Sequence, residues 1–156
     1  MDTTDILRAQ LSRLLERSDA HISFDKAVAD VAPDVRGVRR TGLPHSLWEL
    51  LEHLRRAQRD ILDFCLEAPY VAQSWPDDYW PTSPEPPSPD AWDESVAAIR
   101  RDREEFQRLV ADPEVDLFAV VPHGTEQTYL REVLLAADHV AYHLGQLMAV
   151  RRLLEA

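Results

Sequence analysis

The chain has 156 residues, a formal net charge of −11 and 45% hydrophobic residues. That length fits a single domain, residues 1–156, around one core. The hydrophobic share excludes disorder of the whole chain, and the acidic balance disfavours general binding to phosphate backbones, so no nucleic-acid partner is expected.

The first predicted helix runs from about Thr4 to Arg17, with Ile6, Leu7, Leu11, Leu14 and Leu15 recurring at three- and four-residue spacing on one face. Between Ser18 and Leu43 the pattern is mixed. Ser23 can cap a short helix through Val28, and Gly37 and Gly42 mark irregular backbone. The arginine-rich run Arg36 to Arg40 reads as a solvated loop. The second main helix has the clearest start. Ser46 stands as N-cap with Glu49 three residues on, the capping-box pattern in which each side chain satisfies a backbone N–H near the helix start. Leu47, Leu50, Leu51, Leu54, Ile61, Leu62 and Cys65 follow at helical spacing to about Glu67.

Pro69 to Pro89 holds seven of the eleven prolines, so no helix or central strand survives there. Tyr70, Trp75, Tyr79 and Trp80 argue against a disordered linker. An ordered crossover lying on the domain is expected, its rings covering apolar surface. Extended chain reaches about 3.3 Å per residue, enough to return along a helix and leave the second and third helices parallel. The third helix is predicted over about Asp90 to Val110, with Trp92, Val96, Ile99, Phe106 and Leu109 inward. The fourth begins near Thr125–Thr128 and reaches about Leu154, with Leu130, Val133, Leu134, Ala137, Val140, Leu144, Leu147 and Met148 as a broad apolar face. Four long helices joined by a Pro-rich crossover predict an all-α four-helix bundle.

The single cysteine, Cys65, cannot form an internal disulfide. The acidic, polar N-terminus does not resemble a signal peptide, and no apolar run approaches the 18 or so residues that span a bilayer. A cytoplasmic location away from membranes is the expectation.

The chemistry lies in the histidines. His139 and His143 stand at i, i+4 on the last helix, which puts both rings on one side about a turn apart, as chelation from a helix requires. The spacing is that of the zincin HExxH motif, but Val140 replaces the glutamate, so the general base of a thermolysin-like peptidase is missing. His139 follows Leu135 by four and His143 precedes Leu147 by four, so both rings border the core stripe; His53 does the same on the second helix. Three imidazoles facing one interior need either separate hydrogen-bond partners or a shared cation, and spacing leaves both open. Neutral imidazoles suit zinc, nickel, iron or copper, and three ligands leave positions for water or substrate. Gln146, three residues after His143, faces the same side; Asp60 and Glu49 stand two turns after and one turn before His53, where a carboxylate would orient an imidazole. His123 in a turn and Tyr142 beside His143 are further pocket candidates, while His45 and His21 read as surface residues. Gly145 inside a helix suggests close approach of another group.

A histidine in Leu50-Leu51-Glu52-His53-Leu54, followed by Asp138-His139-Val140-Ala141-Tyr142-His143-Leu144-Gly145-Gln146, resembles the DinB/YfiT-like superfamily from about Pro44 to the end. The resemblance implies a four-helix bundle of up-down-down-up topology, a divalent metal (zinc, nickel or iron) on His53, His139 and His143, and a homodimer. Related members include thiol S-transferases that use bacillithiol or mycothiol. It therefore implies a metal-dependent enzyme acting on a small molecule, either a transferase that uses a low-molecular-weight thiol or a hydrolase that uses water. A non-catalytic metal-binding or protein-interaction bundle is the alternative, since fold alone does not choose a chemistry.

Overall fold

The structure is a computed structural model that describes residues 2–16 and 19–155. The described residues form five α-helices: α1 (Thr3–Glu16), α2 (Phe24–Val28), α3 (Leu47–Cys65), α4 (Ala91–Ala111) and α5 (Tyr129–Leu154). Single 3₁₀ turns lie at Pro33–Val35 and Asp77–Tyr79. Among the described residues there is no strand, only one isolated bridge between Val120 and Thr128. The chain is thus all-helical.

Local chemistry accounts for where the helices start. Ser46 Oγ accepts from the Glu49 N–H at 3.2 Å while the Ser46 N–H donates to Glu49 Oε2 at 2.8 Å, so the capping box of α3 is complete. Ser23 and Thr128 cap α2 and α5 by accepting from Lys26 N and Arg131 N. Arg17, where the first helix was expected to end, lies outside the described residues. Gly42 has φ +86°, a conformation that favours glycine. A Cβ on Gly37 would come within 2.9 Å of the Glu85 backbone, so the crossover passes directly over it.

The long helices pack with α3 on α4 and α5, and α1 on α4 and α5. Two apolar clusters fill the interior. One joins Leu47, Leu50, Leu51 and Leu54 of α3, Trp92, Val96 and Ile99 of α4, and Leu144, Leu147 and Val150 of α5, with Phe24, Ala27 and Val28 of α2 beneath. The other joins Leu11, Leu62, Phe106, Val110, Leu117, Val133 and Ala136. The N-terminal halves of α3 and α4 therefore share one end with the C-terminal half of α5. α1 buries a narrower stripe than its sequence predicts. Leu7, Leu11 and Leu15 meet the second cluster, whereas Ile6 and Leu14 are each 49% exposed, because α1 lies across only one side of the core. Leu134 on α5 is likewise exposed.

By length and composition α5 is long and apolar enough to cross a membrane, contrary to the expectation that no apolar run approaches that length. A third of its most apolar stretch is buried inside the protein, and α5 packs on α1, α2 and α3. Gly145, expected to mark a close approach, has no atom within 4 Å of a Cβ built on it.

Candidate metal centre

His53 lies seven residues into α3 beyond its Ser46 cap, in the stretch that faces α5. His139 and His143 lie one turn apart on α5. The packing of α3 on α5 brings all three together: His53 Nε2 is 3.1 Å from His139 Nε2 and 3.1 Å from His143 Nε2. His53 is 1% exposed and His143 7%. Among the described residues these form the one group of three or more histidine, cysteine or carboxylate side chains with ligand atoms converging within 4.8 Å.

Hydrogen bonding at the far side of two rings fixes what they present to one another. A carbonyl oxygen only accepts, so His53 Nδ1 carries a proton and donates it to Tyr79 O at 3.0 Å. His143 Nδ1 donates to Gln146 Oε1 at 2.7 Å in the same way. In their neutral forms both rings then have bare Nε2 lone pairs, and two lone pairs 3.1 Å apart repel unless a cation lies between them. Metal–nitrogen bonds of about 2.0–2.1 Å reach both atoms from one point. The donor set therefore fits a divalent metal. Burial, the largest influence, pushes His53 and His139 down to about 4, and lowers His143 against the opposing bond to Gln146. All three stay neutral, the form that ligates, at neutral pH.

The crossover closes one side of the cluster. Trp80 stacks on His53 with ring centroids 3.9 Å apart and planes 2° from parallel, and His45 stacks on the same indole at 4.0 Å. Sequence reasoning placed the crossover rings over apolar surface and His45 at the surface. Nothing in residue spacing links Trp80 to a histidine 27 positions earlier. Two exposed aromatics flank the cluster: Tyr142, 63% exposed, meets the His143 ring edge-on at 4.8 Å, and Trp75 approaches His53 at 6.4 Å.

Of the outer candidates, Gln146 meets an imidazole directly and Tyr142 borders one. The other three have different partners. The Glu49 carboxylate is taken by the Ser46 N–H and by Arg39 Nε at 2.9 Å. Asp60 accepts from the hydroxyls of Tyr70 and Tyr79. His123 Nε2 donates to Ala68 O at 2.9 Å and its ring lies against Tyr70. Ala68 comes fifteen residues after His53, past the end of α3, so His123 belongs to the opposite end of that helix.

Burial raises the Glu49 carboxyl pKa, but the Arg39 hydrogen bond, the Ser46 N–H and the Arg39 charge outweigh it and leave it lowered. A carboxyl lowered on folding adds stability that is full above its unfolded value, about 4.3, and fades as pH falls through the folded value. Glu49→Gln is thus expected to lower the melting temperature at neutral pH, with the gap to wild type narrowing as pH falls below the unfolded value. A gap independent of pH would show that the ion pair contributes nothing.

Fold and site together define an all-helical protein with a three-histidine cluster of metal-ligand spacing between its second and last long helices. The chain belongs to the DinB superfamily, whose family model matches residues 6–147. No curated protein matches the chain, and no solved structure does.

Proposed function

We propose that this protein is a divalent-metal-dependent enzyme in which His53, His139 and His143 hold the ion, and that a low-molecular-weight thiol, or water, attacks a small electrophilic substrate there. The observation that carries the reading is the convergence of three imidazole nitrogens, from the buried His53 and His143 and the half-buried His139, with those of His53 and His143 left bare by hydrogen bonds on the far side of their rings. When bound, a divalent ion supplies Lewis acidity that lowers the pKa of a thiol or water and polarises an electrophile. The chain's own part is positional. Three neutral imidazoles leave a net charge of about +2 at the centre, which favours an anionic thiolate over a neutral donor. Tyr79 and Gln146 hold two of the rings in orientation. Trp80 keeps water from one face of His53, while the exposed Trp75 and Tyr142 offer apolar contact to a substrate at the margin.

The architecture that goes with this reading is a single four-helix bundle running up-down-down-up. Two features support it: the shared ends of α3, α4 and reversed α5, and the bonds from Arg8 in the first half of α1 to Val110 O near the C-terminal end of α4 and to Val115 O in the loop just beyond it. A cytoplasmic homodimer acting on small molecules, not on nucleic acid or membranes, completes the proposal, in keeping with the charge of −11.

The test uses protein loaded with cobalt(II). Added small thiols are expected to give a sulfur-to-metal charge-transfer band that saturates, and the same thiols to be consumed with an alkyl or epoxide electrophile in step with that saturation. A cobalt-loaded protein that shows neither band nor turnover would sink the transferase reading and favour a non-catalytic metal-binding or interaction protein.

A further inference from the structure

Three side chains on one face of α3, His53, Arg56 and Asp60, all grip the three-residue segment Asp78–Trp80 of the crossover. Their spacing of three and four residues stacks them one above another along the helix. His53 Nδ1 donates to Tyr79 O at 3.0 Å. Arg56 Nη1 donates to Asp78 O at 3.1 Å and Trp80 O at 3.0 Å, the carbonyls on either side. Asp60 Oδ2 accepts from the Tyr79 hydroxyl at 2.5 Å, and Oδ1 from the Tyr70 hydroxyl at 3.0 Å. The carboxylate thus takes one bond on each oxygen from crossover tyrosines. Burial and Asp60 itself raise both phenol pKa values, that of Tyr70 to about 12, so both hydroxyls remain donors. Tyr79 is held at both ends, its hydroxyl by Asp60 and its carbonyl by His53.

We propose that Asp60 is a positioning residue for the histidine cluster: through Tyr79 it holds the crossover carbonyl that sets the tautomer and orientation of His53, and thereby the affinity of the cluster for a divalent cation. The inference rests on the metal reading and adds to it a residue that touches no ligand. With the carbonyl in place, the His53 proton sits on Nδ1 and the Nε2 lone pair faces His139 and His143. Without it, the proton is free to move to Nε2, where it blocks the ligating atom. Outer hydrogen-bond partners of this kind are commonly worth about 10- to 100-fold in metal affinity.

Asp60→Ala and Tyr79→Phe are compared with wild type, Tyr79→Phe being the mild change that removes only the hydroxyl. Far-UV circular dichroism checks that each folds. In metal-free protein, nitrogen-15 NMR of the imidazoles is expected to show His53 as the Nδ1–H tautomer in wild type and as a mixture in both variants, with His139 and His143 unchanged. Cobalt(II) titration followed by its visible bands is expected to show affinity reduced about 10- to 100-fold in each variant. The double variant should lose little more than either single one, because both changes cut the same bond. Tyr70→Phe should have a smaller effect. A wild type that takes up no cobalt overturns the metal reading and this inference with it. If wild type binds cobalt and both variants bind it as tightly, or keep the wild-type tautomer, this inference alone is overturned.

Discussion

Replacing His143 with alanine is expected to leave the protein without metal. Wild type purified without an affinity tag or chelator should carry roughly one divalent ion per chain, and His143→Ala close to none, as read by elemental analysis. The loss should exceed the roughly 10- to 100-fold effect of removing an outer partner, because the change removes a converging nitrogen and leaves Gln146 Oε1 without its donor. His53→Ala should act equally, since its Nε2 lies 3.1 Å from each of the other two. A second readout follows from linkage. An ion held at 100 times its dissociation constant stabilises the folded state by about 2.7 kcal/mol, so metal should raise the wild-type melting temperature and leave that of His143→Ala unmoved. If His143→Ala retains a full equivalent of metal, the ion sits elsewhere and the site proposed here is wrong.

Phe106→Ala should produce the largest change in stability. Phe106 is 1% exposed and lies in the cluster that joins Leu11, Leu62, Val110, Leu117, Val133 and Ala136, to which α1, α3, α4 and α5 all contribute. Truncating a buried phenylalanine costs about 3–5 kcal/mol, from lost apolar burial and the cavity left behind. That is a large part of the roughly 5–15 kcal/mol by which a domain of this size is stable. Urea unfolding should show the midpoint falling with little change of slope. The histidines lie outside this cluster, so metal bound per folded chain should be unchanged. A loss below about 1 kcal/mol would mean that the second cluster is not close-packed.

Much of this was legible in the residue order because the signals are local. The Ser46–Glu49 capping box, the Ser23 cap and the 3.6-residue apolar period act within one or two turns, and the helices begin within a few residues of where those signals put them. The i, i+4 spacing of His139 and His143 was also visible, since a helix alone places those rings on one side. The width of a buried stripe was not. Ile6, Leu14 and Leu134 fit the period but stay exposed, because how much of a face is covered depends on which neighbour lies across it.

Outer partners of the cluster divided along the same line. Gln146 shares a helix with His143 and was found by counting turns. Glu49 and Asp60 stand at equally suitable turns from His53, yet Arg39 claims the one, and Tyr70 and Tyr79 the other, from segments that residue spacing cannot dock. Trp80 and the Tyr79 carbonyl reach His53 only because the proline-rich crossover folds back over α3.

The residue order by itself determined that the chain is helical, roughly where each long helix lies, and that one of them carries two histidines a turn apart. Hydrogen-bonded turns and amphipathic periods are properties of neighbouring residues, and neighbours are fixed by covalent connection. Only the tertiary structure decided that a third histidine, 86 positions before the next, meets that pair, and which groups hold its proton on Nδ1. Those contacts exist only after helix packing has brought distant segments within 3–4 Å.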